Sequence, residues 1–321
     1  MATRAAQAAS GQGPLVRYED SRVSMACTYA IAVYGRDPRE LAPVVAAALD
    51  EVDRIDRLMS HYKPDSPLSR LNREAANGPV RVDPELFDFI TRCQTHSRES
   101  QGAFDVTVGP LMKTWGFFSG MGRVPDDQEL AVVLSRVGYR HVVLGPGART
   151  VRFDRPGVAL DLGGIAKGYA VDRAVRLLRS KGVSAALVSS GGSTLYALGA
   201  PPGETGWPVR VRDPIDARKV AFTVRLKDRA LSMAGGQEKS FEAGGVRYSH
   251  IMDPRSGRPA SGVLAVAVVT GTGTDGDALD DAFYVLGVEK SREYLERLPP
   301  TRVHLFLPGA DGGYRQVQME N

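Results

Sequence analysis

The chain has 321 residues, 43% of them hydrophobic, and its 41 Lys and Arg against 37 Asp and Glu give a formal charge of +4. That length and apolar content support a large core, while the absence of any stretch of about 18 apolar residues excludes a spanning helix. The basic excess is spread thinly, which argues against nucleic acid as a partner, and Cys27 and Cys93 lack disulfide-framework or zinc spacing.

Residues Met1 to Asp20 contain Ala, Gly, Ser and Gln but no apolar signal-peptide segment, and read as a flexible lead-in to one domain over 21–321. Met25 to Tyr34 is apolar and β-prone and predicts the first strand. Asp37-Pro38 supplies a helix cap and a first helical residue. Leu41, Val44, Ala48, Val52, Ile55 and Met59 then keep helical spacing, so a helix of about six turns should end near Ser60. His61 to Asn72, rich in Ser, Pro and Asp, reads as a solvated loop. Asp83-Pro84 repeats the cap signal before a helix whose buried face is Leu86, Phe89, Ile90 and Cys93, the last a buried structural thiol. Gly102 to Trp115 sets aromatics beside Asp105, which suits either the edge of a planar ligand or plain core packing by Phe104 and Trp115. A short helix after Pro125 leads to a hairpin, with Arg140–Leu144 and Val151–Phe153 flanking Gly145-Pro-Gly147.

The next stretch is Asp161-Leu-Gly-Gly-Ile-Ala-Lys-Gly-Tyr-Ala-Val-Asp172. The apolar run Val158 to Leu162 reads as a strand that meets a glycine pair and then a helix, whose Ala166, Ala170, Ala174, Leu177 and Leu178 form the packed stripe. Lys167 lies off that stripe. A helix start free to meet an anion, with glycines for close approach and a lysine charge, favours phosphate. The same pattern is also an ordinary tight connection in α/β proteins.

Further strands are predicted at Ala185–Ser189, Thr194–Leu198, Trp207–Val211, Val220–Leu226, Val246–Ile251 and Val263–Thr270. Helices at Asp277–Leu286 and Ser291–Arg297 and a strand at Val303–Leu307 complete the chain. The irregular alternation implies an α+β fold with a mixed sheet and flanking helices. Gly271, Gly273 and Gly276 mimic a dinucleotide fingerprint, but Asp275, Asp277, Asp280 and Asp281 would repel a pyrophosphate from that helix start. Two roles suit these acids better. Asp277 can be an N-cap with Asp280 closing a capping box, or the cluster can hold a hard cation such as magnesium on its oxygens. His250 is the one histidine inside a dense motif, Tyr248 to Gly257, and is either structural or a base; His61, His96, His141 and His304 have no such setting.

The segment Asp161 to Asp172 resembles the central motif of the FAD:protein FMN transferases, the ApbE-type flavin transferases. Met59 to Asn72, Gly102 to Leu111 with Trp115-Gly-Phe117, Tyr248 to Gly257, and Asp277-Ala-Leu-Asp-Asp281 before Val285-Leu-Gly287 match in the same order, over a span from about Met25 to Leu286. The resemblance implies an ApbE-like fold and a magnesium-dependent transfer of FMN from FAD to a Thr or Ser hydroxyl of an acceptor flavoprotein, with release of AMP. It further implies that Met25, Tyr62, Ala103, Phe104, Asp105, Asp161, Lys167 and Ile251 contact FAD. Gly164, through its carbonyl, and Asp277, Asp280 and Asp281 would bind Mg2+, and His250 would be the base. It implies acceptors among subunits of membrane redox complexes and a place in the cell envelope or periplasm. Two positions depart from the family pattern: Asp281 stands where Thr is usual, and Ser232-Met-Ala-Gly235 replaces Ser-Thr-Ser-Gly. With water as nucleophile the same site would be an FAD pyrophosphatase, and without turnover a flavin carrier.

Overall fold

Apolar strands that alternate sides, with helices whose apolar stripes must be covered, leave one economical solution here, a large sheet with helices laid on one face. The computed structural model describes residues 14–236, 239–310 and 312–321. The chain starts with an antiparallel pair, β1 (Val16–Ser24) and β2 (Cys27–Gly35). The predicted lead-in therefore lies outside the described residues up to 13 and is strand from Val16 onward. β1 gives little sequence signal because it is an edge strand whose sequence, VRYEDSRVS, is mostly polar.

Capping chemistry places the first helices. Asp37 accepts from Arg39 N at 2.9 Å to open α1 (Pro38–Met59). Ser66 accepts from Ser69 N at 2.9 Å to open α2 (Pro67–Glu74), so the second half of the predicted 61–72 loop is helical: Ser66-Pro67 is the same signal as Asp37-Pro38. Then come β3 (Val80–Arg81), α3 (Pro84–Glu99) capped by Asp83, α4 (Gly109–Thr114), α5 (Asp127–Leu134) and the hairpin of β4 (Val142–Gly145) with β5 (Thr150–Phe153). Val158 to Leu162 is not a strand. It runs through the interior pinned by Leu160 N to Asn72 Oδ1 at 2.8 Å and Asp161 N to the Val106 carbonyl at 2.7 Å, and so delivers the chain to α6 (Ala166–Ser180).

After α6 follow β6 (Ala186–Ser190), β7 (Thr194–Leu198), β8 (Trp207–Arg212), β9 (Val220–Leu226), β10 (Arg229–Gly235), β11 (Ser240–Ala243), β12 (Val246–Ser249), β13 (Met252–Asp253), β14 (Arg258–Pro259) and β15 (Ala265–Thr270). The chain ends with α7 (Gly273–Leu295), β16 (Arg302–Pro308) and β17 (Tyr314–Glu320). Eight strands pair in the order β1-β2-β6-β7-β10-β15-β16-β17. The fold is α+β as expected, with helices and several sheets combined, but the large sheet is not mixed: each of its neighbouring pairs is antiparallel. Along β2, Ile31 and Val33 join the core under α1, α6 and α7, while Ala32 joins Trp207, Val209 and Val211 of the β8–β9 hairpin on the opposite face.

As the sequence predicts, the C-terminal helical stretch is two helices: α7 is interrupted at Gly287, whose φ of 66° and ψ of −172° are non-helical and suit glycine. The start of α7 is earlier than expected. Thr272 is the N-cap, accepting from Asp275 N at 3.1 Å and donating its hydroxyl to Asp275 Oδ2 at 2.7 Å, so the cap is Thr272 and not Asp277.

Candidate active site

A cavity of about 540 Å³ opens where the first turn of α6 and the second turn of α7 meet the β1–β2 turn, the loop after α1, the 103–108 segment, β10 and the His250 segment. The β1–β2 turn is unusual. Met25 and Ala26 sit at φ 50° and 59°, a left-handed pair that two-residue hairpins normally fill with Asn and Gly. The turn brings Met25 to the cavity wall, where its sulfur accepts from the Tyr29 hydroxyl at 3.1 Å.

The polar end of the cavity is made by α6 and α7. Lys167 Nζ donates to Ser193 Oγ at 2.8 Å, which holds the ammonium at the wall. The α6 start is not as open as the sequence suggests, because Gly168 N donates to Asp277 Oδ2 at 2.6 Å. The other oxygen of Asp277 accepts from the Thr194 hydroxyl, itself bonded by Ser232 Oγ at 3.2 Å. Burial pushes the Asp277 carboxyl up, against the pull of Lys167. Asp280 is raised well above the usual carboxylate range, first by burial and then by the neighbouring charges of Asp281 and Asp277. The Asp281 carboxylate lies against Gly164, so closely that a Cβ on the glycine would stand 2.5 Å from Oδ2. Buried acids that repel one another favour a proton or a cation between them, and their hard oxygens suit magnesium. Among the described residues no three His, Cys, Asp or Glu side chains converge as a ready-made metal group. Asp277 is turned toward α6, although a carboxylate with about four acceptor sites keeps lone pairs beyond its two hydrogen bonds.

The remaining wall is apolar and aromatic. Ala103, Phe104 and Ile251 are buried along it, and Tyr62, 60% exposed, stands at its mouth. Trp115 is core, its indole N–H donating to the Gly257 carbonyl at 2.9 Å. Asp105 reaches the cavity but spends its carboxylate on its own loop, accepting from Thr107 N at 2.8 Å and Tyr139 N at 2.6 Å; burial pushes its pKa up. Asp161 behaves oppositely. Burial would raise it too, but His61 Nδ1 at 3.2 Å and Gly163 N at 2.9 Å hold it below the usual range. The His61 ring lies 3.9 Å from that of Tyr62 and 4.7 Å from Phe118, and its buried Nε2 has no hydrogen-bond partner among the described residues. Across the cavity His250 points Nδ1 at the Lys239 carbonyl at 3.2 Å, and burial, assisted by the Lys239 charge, lowers its pKa to about 4.

The ApbE family model matches residues 25–305, which takes in every wall of this cavity. The chain belongs to the ApbE family. Among curated relatives it is 34% identical to a FAD:protein FMN transferase of Treponema pallidum, over 93% of this chain and 86% of the relative. One of Klebsiella pneumoniae is 32% identical over 90% of this chain and 84% of its own. Among solved structures, the ApbE protein of Thermotoga maritima superposes with a TM-score of 0.84 at 30% identity, covering 95% of this chain and 97% of that one.

In this ApbE chain every site residue singled out from the sequence lines this cavity, from Met25 and Tyr62 through Asp161, Gly164 and Lys167 to His250, Ile251, Asp277, Asp280 and Asp281. Four further residues take on a role at the site only in the structure. His61 has no telling neighbours in sequence, yet it buttresses Asp161; its signal is its place inside the Met59–Asn72 motif. Thr194 and Ser193, which hold Asp277 and Lys167, sit in an unremarkable strand and turn. Asp172 closes the central motif and caps α7, a long-range contact that local spacing does not reveal.

Proposed function

We propose that the chain transfers FMN from FAD to a Thr or Ser hydroxyl of an acceptor flavoprotein, releasing AMP. The observation that carries this reading is the convergence, on one cavity, of Lys167, the buried acids Asp277, Asp280 and Asp281, and the neutral His250, beside the apolar wall of Phe104 and Ile251. The names of the relatives support it. The apolar wall takes the flavin ring, and Lys167 faces the pyrophosphate. The acceptor oxygen attacks the FMN-side phosphorus, the bond from that phosphorus to the bridging oxygen breaks, and AMP leaves with the bridge. The carbonyl of Lys239 can only accept, so His250 carries its proton on Nδ1 and leaves Nε2 to take the hydroxyl proton. Lys167, steadied by Ser193, offsets charge on the phosphoryl oxygens.

Asp280, Asp281 and the Gly164 carbonyl, with the spare lone pairs of Asp277, would hold Mg2+, which would supply positive charge against the pyrophosphate. On the same reading the acceptors are subunits of membrane redox complexes and the reaction runs at the cell envelope, which fractionation of cells would check. No helix among the described residues is long and apolar enough to cross a membrane. Incubation with FAD, Mg2+ and a Thr-bearing acceptor should yield AMP and acceptor-bound flavin fluorescence together. AMP alone would make the protein a pyrophosphatase, and neither product would make it a carrier; both results overturn the transferase reading.

A further inference from the structure

The crossing of α6 and α7 is built from the same short pattern used twice. Gly168-Tyr-Ala-Val-Asp172 lies on α6 and Gly273-Thr-Asp-Gly-Asp277 on α7, so on each helix a glycine and an aspartate four residues later share one face. The faces meet. A Cβ on Gly168 would run into the Gly273 carbonyl, and one on Gly273 would stand 2.9 Å from the Gly168 carbonyl, so the two backbones touch as only glycines allow. Each aspartate then accepts the backbone N–H of the other helix's glycine: Gly168 N to Asp277 Oδ2 at 2.6 Å, and Gly273 N to Asp172 Oδ1 at 2.7 Å. Asp172 also accepts from Thr274 N at 2.9 Å and from Thr274 Oγ1 at 2.5 Å.

The two halves of this clasp differ in one respect. Asp277 lines the cavity, whereas Asp172 does not and is spent entirely on the start of α7. We propose that Asp172 is a positioning residue for the flavin-transfer site: by pinning the first turn of α7 against α6 it fixes the rotation and height at which Asp277, Asp280 and Asp281 face the substrate and its cation. The physical reason is leverage. Three acids one to two turns beyond Gly273 move with any slip of that first turn, and α6, which carries Lys167 one residue before Gly168, is the reference against which the slip is measured. Two helix starts with their dipoles directed at one another's carboxylates also hold more firmly than two independent caps, because loosening one aspartate releases a glycine contact that the other relies on.

The inference rests on the magnesium reading above, and its test separates the two. Mg2+ is titrated calorimetrically into the wild type, Asp172→Asn, the milder Thr274→Val, and Phe306→Leu as a far-face variant chosen to lose similar thermal stability; FAD affinity without Mg2+ is measured on each. The expected result is Mg2+ binding weakened about tenfold or more by Asp172→Asn and a few-fold by Thr274→Val, with Phe306→Leu titrating as wild type and FAD affinity unchanged throughout. Wild-type Mg2+ affinity in Asp172→Asn, or equal losses in Asp172→Asn and Phe306→Leu, would reduce Asp172 to a plain helix cap. A wild type that binds no Mg2+ would overturn the metal reading and this inference with it.

Discussion

Two histidines are pushed down to about 4, His304 on β16 of the central sheet and His250 between β12 and β13 outside it, and only His250 meets the cavity. His250 is lowered by burial and by Lys239 beside it, His304 by burial and by Arg302. His304, however, sits under the β8–β9 hairpin, its ring 4.4 Å from Phe222 and its Nδ1 2.7 Å from Gln316 Nε2, in a layer made by Trp207, Val209, Val211 and Phe306. The same shift thus accompanies a packing role for His304 and a cavity role for His250, and the two faces of the central sheet differ in the same way. What separates the faces is the kind of element laid on them. The β8–β9 hairpin pairs its inward backbone groups in its own ladder and draws on no side-chain carboxylate of the core, while the starts of α6 and α7 bring N–H groups that carboxylates accept, and those carboxylates supply charge at the site.

The comparison breaks most visibly at Asp277. Asp277→Asn removes a charge and turns a donor toward Gly168 or Thr194, and Mg2+-dependent AMP release should fall by at least about 10³-fold. Asp281→Thr should keep turnover and need more Mg2+. AMP release followed against Mg2+ concentration in both variants checks this, and an Asp277→Asn curve like wild type would leave the acids as structural groups only.

How far the sequence foretells this difference depends on the range of the interaction. Asp37-Pro38 and Asp83-Pro84 announce their helices because a cap acts within three residues, and Ser66-Pro67 is legible by the same rule although the composition around it reads as loop. β10 is hidden because it carries Ser232 and Gly235 inside a buried central strand, and β17 because its polar residues face outward at the edge. The site residues are legible mainly as motifs. Their partners are not: Asp277 looks like the cap of its own helix because nothing in its neighbourhood of sequence says that Gly168, more than a hundred residues earlier, needs a carboxylate.

The histidines sharpen the contrast. His250→Ala should lower transfer by about 100-fold or more with FAD binding retained, and His304→Ala should leave transfer as it is. The acid limb of wild-type kcat/KM assigned to His250 should lie near pH 4, since the ring is neutral above that value, and a limb near the ordinary histidine range would contradict the geometry. Stability follows the same sign. Both rings bind a proton more readily unfolded than folded between about 4 and the ordinary value of 6.5, so stability is lost as pH falls through that window, and His304→Gln should flatten the slope of a denaturation series.

On the far face the expected effect is on folding alone. Phe306→Ala empties a fully buried ring site and should cost about 3 kcal/mol in urea denaturation while the folded fraction keeps its Mg2+ dependence. The smallest effect is at the β1–β2 turn, where Ala26→Gly relieves a left-handed alanine and should raise stability by about 1 kcal/mol, read as a modest rise in Tm.

The most direct measurement is crystallographic. With FAD bound and Mn2+ standing in for Mg2+, anomalous scattering should place the cation at Asp280, Asp281 and the Gly164 carbonyl beside Asp277, with the pyrophosphate within reach of Lys167 and the flavin ring on the Phe104 and Ile251 wall. Anomalous density elsewhere, or FAD bound with its pyrophosphate remote from the α6–α7 crossing, would contradict the account.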